Sequence, residues 1–283
     1  MMKKLTISAI VVLSFAGLSF AQVVQDLPGA AGMIDWTTQA VKATGIGALN
    51  PKLPPSAQRK NALRAAQLDA MRNMVETLNG VVLSSETTVE NAMMSSDVIK
   101  TRVEGIVKNF RFTSKPRYMS DGSVEVDMEM LLYGKVGDVL YSTPEFKWNV
   151  KEQPTFQAVP NPPQEPQPWT GLIVDASGVA DAQPAMVPNI LTESGDGIYG
   201  DEFVPQESAV KYGVVAYSNS VADAKARTER VGTNPLVIRA VQASGKNKAD
   251  LVISDSDVET LATIADNTDV YDNCKVIIVL KAQ

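Results

Sequence analysis

The chain of 283 residues contains no histidine. That absence removes Ser-His and Cys-His nucleophile activation, histidine-ligated zinc and histidine-based pH switching together. Cysteine is nearly absent too. Cys274 stands alone, so no intramolecular disulfide can form, and a buried, inert thiol is its ordinary fate. Long apolar runs are also missing: beyond the N-terminus no stretch is long enough to cross a bilayer.

The one such run, Ile7 to Leu18, follows Met1-Met2-Lys3-Lys4 and leads into Ser19-Phe20-Ala21. A short apolar segment with a basic start and small residues before a cut predicts a secretory signal peptide over 1–21, cleaved before Gln22. The expected mature chain has no transmembrane segment and resides in the periplasm or outside the cell. No cysteine lies near the cut, so the acylation point of a bacterial lipoprotein is missing there.

Composition is that of a globular protein, 45% apolar and 20% charged, and the length suits two domains. Charge divides unevenly. Residues 36–141 carry 13 Lys+Arg against 11 Asp+Glu, whereas residues 169–283 carry 9 against 16. Without Lys3 and Lys4 the net charge falls from −6 to −8. An acidic surface of this kind argues against nucleic acid or anionic lipid as the main partner.

Between the two regions, residues 142–168 hold 7 of the 16 prolines, with little apolar periodicity, which predicts a stiff linker or strap.

In the first region, Leu63, Ala66, Ala70, Met74 and Leu78 recur at helical spacing, with Leu68, Met71 and Val75 widening the stripe. Pro54-Pro55-Ser56 provides the start and Asn79-Gly80 the stop, Gly80 being expected to turn left-handed. The alanines at 65, 66 and 70 imply a helix lying close against a sheet. A strand is expected over Trp36–Gly47 after a short lead-in, another over Val81–Glu90, and a second helix after Ser96-Asp97. Gly105 within that helix is a weakness unless it permits close packing.

Residues 110–133 read as a hairpin. Phe110, Phe112, Val124, Val126, Met128, Met130 and Leu132 take one face; Arg111, Lys115, Arg117, Glu125, Asp127 and Glu129 take the other. A three-residue loop Ser120-Asp121-Gly122, with Gly122 left-handed, places Arg117 opposite Glu125 and Lys115 opposite Asp127. With basic partners in register, this carboxylate row is better read as a solvated face than as general acids or metal ligands.

Other apparent motifs have equally plain readings. Gly45-x-Gly47 lacks the third glycine and immediate helix of a dinucleotide fingerprint, and suggests a close backbone approach. Asp255-Ser256-Asp257-x-Glu259 suits a helix start rather than a calcium loop. Asp266, Asp269 and Asp272 read as a solvated loop. No catalytic, cofactor-binding or metal-binding residue is assigned.

The second region opens with Trp169–Ala176 as a buried strand. A hairpin follows around Ser194–Gly197, then strands at Val214–Tyr217, Pro235–Gln242, Leu251–Ser254 and Lys275–Leu280. Short helices fall at Ser220–Thr228 and about Ser256–Ala265. The mixture without regular β-α alternation gives the fold class α+β: an N-terminal β-α-β-α-β-β domain (36–141), the linker (142–168) and a second α+β domain (169–283).

The run Ala62-Leu63-Arg64-Ala65-Ala66-Gln67-Leu68-Asp69-Ala70-Met71-Arg72-Asn73-Met74, continued in Leu78-Asn79-Gly80 and Ser84-Ser85-Glu86-Thr87-Thr88, resembles the FlgP-like envelope lipoproteins. It is similar in organisation to the N-terminal domain of the flagellar ring protein FlgT. Arg102–Val107 and the hairpin ending in Tyr133-Gly134 fit the same pattern, over about residues 36–134. Thr170–Ala176 and Gly232–Ala240 resemble the second region of longer secreted relatives. The resemblance implies a non-enzymatic envelope protein, in some members a component of outer-membrane-proximal discs or rings around the flagellar motor. Partners would then be envelope proteins or further copies of the chain, with peripheral association at the outer membrane. Two alternatives stand beside it: a ligand-binding module with its site in the C-terminal domain, and a carboxylate-pair hydrolase.

Overall fold

The computed structural model describes residues 22–27, 31–110, 112, 114–151, 169–265 and 268–281. The expected signal peptide and residues 152–168 of the Pro-rich stretch lie outside the described residues. Helices and sheets are both present, in two halves, as the α+β expectation requires.

The first half starts with β1 (Val24–Asp26), β2 (Gly32–Asp35) and β3 (Ala40–Gly47), followed by α1 (Pro55–Asn79). Then come α2 (Val89–Ser95), α3 (Asp97–Lys108), β4 (Arg117–Tyr118), β5 (Val124–Leu131) and α4 (Lys135–Leu140). The strands form one antiparallel sheet in the order β1-β2-β3-β5-β4. The lead-in before Trp36 is therefore two strands rather than loop, and Trp36–Gln39 is a turn.

The helix α1 lies on the sheet because both surfaces are stripped of side chain. A Cβ on Gly45 would sit 2.1 Å from the Ala70 backbone nitrogen, and one on Gly47 would sit 2.0 Å from the Ala62 carbonyl oxygen. Ala62, Ala66 and Ala70 are fully buried there. The glycine pair is thus the close backbone approach that its spacing suggested. Two details differ from expectation. Leu68 is 57% exposed, on the far side of the helix from Ala66 and Ala70. Gly80 keeps a right-handed φ of −77°, its N–H bonded to the Leu78 and Thr77 carbonyls, with the Leu27 side chain packed where a Cβ would point.

The expected strand over Val81–Glu90 is absent; one isolated bridge, Val82 to Thr88, is all the pairing it makes. The backbone turns instead, with Leu83 and Ser84 N–H both donating to the Thr87 carbonyl. The Val82 and Leu83 carbonyls accept from Met186 and Val187 of the second half. This apolar stretch is used at a junction between halves, not in a sheet. The N-domain order β-α-β-α-β-β is corrected accordingly. Thr88 caps α2 and Ser96 caps α3.

The hairpin register agrees with expectation. Arg117 pairs with Glu125 and Tyr118 with Val124, and Gly122 is left-handed at φ +85°. The first strand is far shorter than expected, two residues, so Lys115 lies outside the ladder and Arg117 engages both Glu125 and Asp127.

The second half contains β6 (Gly171–Asp175), β7 (Ile190–Leu191), β8 (Gly197–Tyr199), α5 (Gln206–Tyr212), β9 (Ala216–Ser218) and α6 (Val221–Ala226). It continues with α7 (Thr228–Val231), β10 (Pro235–Ser244), β11 (Asp250–Ile253), α8 (Asp255–Ala265), α9 (Thr268–Asp272) and β12 (Val276–Val279). The seven strands order as β8-β7-β11-β10-β6-β12-β9, and four of the six pairings are parallel. The α6–α7 segment covers one face, its Ala224 and Val231 packing with Ile173, Ala216, Ile277 and Val279. Leu172, Val174, Tyr217, Val276 and Ile278 on the other face belong to the same hydrophobic cluster as Ile34, Trp36, Leu83 and Leu132. One core therefore runs through both halves.

Candidate functional site

The junction between the halves is built from turns and strand ends. Trp36 meets Tyr217 edge-on at 5.6 Å, and its indole N–H donates to Gln25. Gln39 donates through Nε2 to the Val215 carbonyl at 2.6 Å. The loop after α1 clamps the β10–β11 hairpin. The Ser85 hydroxyl donates to Asp250 Oδ2 at 2.6 Å, Asn189 N–H donates to Asp250 Oδ1 at 2.7 Å, and Asn247 donates to the Ser84 and Thr87 carbonyls. The segment after α4 adds a strap: Tyr141, Phe146 and Trp148 pack edge-on or tilted against one another, Trp148 donates to the Tyr141 carbonyl, and Lys147 N–H donates to Asp201.

Two buried carboxylates sit here without a cationic partner among the described residues. Burial raises Asp250 above the usual carboxylate range, against the hydrogen bonds from Ser85 and Asn189. Burial likewise raises Asp201, against the bond from Lys147 N–H. Arg230 donates to the carbonyls of Tyr212, Gly213, Val214 and Val276, and burial lowers its pKa. Cys274 is buried, and burial pushes its thiol up to about 11, well away from a reactive thiolate.

The first sheet presents its other face to solvent, and the carboxylates singled out in the sequence lie on it. Lys42 Nζ bridges Asp35 at 3.0 Å and Glu129 at 3.9 Å. Thr44 donates to Asp127 at 2.8 Å, and Arg117 joins Asp127 to Glu125. Arg117 lowers Asp127; at Asp35, burial opposes ionisation but the Lys42 and Thr38 hydrogen bonds outweigh it and the pKa is lowered. Each of these carboxylates is tied to a neighbour, and Asp127 and Asp35 are held ionised, which suits a fixed recognition face and not proton transfer. Exposed Met33, Ile46 and Leu131 lie on the same face. That combination, a rigid charged ladder with three apolar side chains, is the candidate interaction surface.

Asp255 and Asp257 fall in the first turn of α8, where carboxylates oppose the positive helix end; the side chain of Glu259 lies outside the described residues. Asp269 pairs with Lys275 on α9, and Asp266 also lies outside the described residues. Among the described residues no group of three or more His, Cys, Asp or Glu is arranged to hold a metal. No described helix is long and apolar enough to cross a membrane.

Sequence reasoning found the charged ladder because alternation exposes it. It missed the junction, whose partners Ser85 and Asp250 are 165 positions apart. The one local signal was the polar run Ser84–Thr88 beside buried Val81 and Leu83.

Residues 36–129 match the family model of the LPP20 lipoproteins. Residues 171–282 match the family model of the second domain of Treponema pallidum Tp0624. No curated protein matches the chain. The two matched segments fall one in each half; the first leaves out β1 and β2 but contains most of the charged ladder.

Proposed function

We propose that the protein is a non-enzymatic structural or assembly component of the cell envelope, exported by its N-terminal segment and acting through contacts with envelope proteins or with further copies of itself. The observation that carries this reading is the LPP20 lipoprotein match over the domain that holds the charged sheet face. The chemistry of that face supports it. Glu125, Asp127 and Glu129, the carboxylate row read in the sequence, each lie within ion-pair reach of Arg117 or Lys42. A place in outer-membrane-proximal or flagellar rings is the finer version, and it rests on the FlgP-like resemblance.

Fractionation of the producing cell, followed by cross-linking, tests the reading. The expected outcome is recovery with the envelope or the periplasm, cross-linked to itself or to an envelope protein. Recovery in the cytoplasm overturns it. Loss of motility on deletion, with growth unchanged, separates the flagellar version from a general envelope role.

A further inference from the structure

Opposite charges collect at separate places on the two halves. From Trp36 to Leu68 the chain has five Lys or Arg and no Asp or Glu. Four of these, Lys52, Arg59, Lys60 and Arg64, are exposed around the start of α1, and none forms an ion pair among the described residues. Lys60 and Arg64, four apart on α1, repel each other. Every other described α-helix carries an acidic residue in its first turn; α1 carries none. The sequence keeps an arrangement that its own helix disfavours.

Topology places this charge at a pole. Strand β3 leaves the junction at Ala40 and ends at Gly47, about 23 Å away at strand rise, and α1 starts from that far end. The hairpin tip joins it: the Arg59 guanidinium lies 5.3 Å from the Tyr118 ring, and Tyr118 and Met119 are 53% and 43% exposed. The pole is thus cationic with an apolar knob. Its complement is in the same chain. From Ala249 to Cys274 there are seven Asp or Glu and no Lys or Arg; Asp255 and Asp272 are exposed on α8 and α9, beside Asp269, which is paired with Lys275.

We propose that the basic pole at the start of α1 docks against the acidic α8–α9 surface of a second copy, joining chains head to tail. This rests on the structural reading above and names its partner. Such a contact uses two different patches, so it leaves a free pole and a free acidic surface on each pair, and successive copies extend into a ring or a filament. A second copy is favoured over an anionic lipid surface because the complementary charge is in the chain itself, and the net charge of −8 from Gln22 onward repels such a surface.

The test is sedimentation velocity of the chain from Gln22 onward, over a concentration series. Species larger than the monomer are expected at low salt, with association at least about tenfold weaker at about 0.5 M salt, where the screening length is a few ångströms. The variant R59E/K60E/R64E is expected to remain a monomer. It should retain its helix content by circular dichroism, because Glu, Lys and Arg have similar helix propensities. The variant D255K/D272K is expected to be monomeric alone, and mixing the two variants restores association. A wild-type chain that stays monomeric at low salt overturns the proposal, as does association that survives reversal of the pole, or a mixture that fails to associate. Monomeric wild type that sediments with vesicles containing phosphatidylglycerol, and loses this with the pole reversed, assigns the patch to lipid instead. Any of these failures with envelope localisation intact leaves the structural reading standing.

Discussion

The two halves handle buried carboxylates in opposite ways. In the first, Asp35 is fully buried beside Lys42, and its pKa is lowered. In the second, Asp250 and Asp201 are buried with only hydroxyl and amide donors, and their pKa values are raised. The sheets differ in parallel fashion. The first is antiparallel with one face in water, so cations can reach its acidic residues. The second is covered on both faces around β6, β12 and β9, by α6–α7 and by the shared core, and its junction carboxylates meet backbone and hydroxyl groups. The first half is therefore organised for surface recognition, and the second closes the core.

The strongest way to break this division is at the contact that makes the first sheet one-sided. Gly45→Ala drives a methyl into the α1 backbone, where neither element can yield without losing strand or helix bonds. A loss of about 3 kcal/mol or more is expected in urea unfolding, at the upper end of single-substitution effects. A loss under about 1 kcal/mol would mean that α1 does not lie on β3 as closely as described.

At the junction, Ser85→Ala removes the donor to Asp250 Oδ2 and leaves a buried carboxylate oxygen unpaired. The expected cost is about 1–3 kcal/mol. Asp250→Asn keeps the shape and can exchange the hydrogen-bond sense with Ser85, so it should stay within about 1 kcal/mol of wild type at neutral pH. If both variants behave alike, the hydrogen bond is not what holds the hairpin tip to the loop after α1.

Titration sharpens the contrast between Asp35 and Asp250. The native pKa of Asp250 is raised, so its ionisation opposes folding: that contribution to stability is present at low pH and lost as pH rises through the native value. Asp250→Asn should accordingly gain on wild type toward neutral pH, and the gain should vanish below the unfolded carboxylate value of about 3.9. Asp35 has the reverse sign. The deficit of Asp35→Asn should be complete above about 3.9 and shrink as pH falls through the lowered native value. Unfolding free energies measured between acid and neutral pH would show the two curves diverging in opposite directions; curves of one sign would erase the distinction.

The same contrast explains what could be read from sequence. A sheet with one wet face alternates, so Val124–Leu132 displays its register, and Arg117 opposite Glu125 could be placed from pleat and turn alone. Gly45 and Gly47 against a helix with small residues on one side were legible for the same local reason. The second sheet is covered on both faces, and strands such as Leu172–Val174 and Val276–Val279 are continuous apolar runs with no facing information. Their existence is legible, but their parallel order depends on partners far along the chain. Val81–Leu83 deceived for a related reason: β-branched residues that look like a strand are buried at the junction, where their carbonyls meet Met186 and Val187 rather than a sheet neighbour.

The smallest expected effect lies at Gly105, in the middle of α3. A Cβ there meets nothing within 4 Å, so the glycine does not serve close packing, unlike Gly45. Its φ is not in the left-handed region, and the helix continues through it to Lys108. Alanine therefore fits the native backbone and lowers the entropy of the unfolded chain. Gly105→Ala should stabilise the protein by about 0.5–1 kcal/mol, with no change in fold or association. The same substitution thus carries opposite signs at two glycines of one domain, decided by whether a helix backbone or open space lies where the methyl would go. A destabilising Gly105→Ala would place an unseen partner against α3, making that helix a contact surface in its own right.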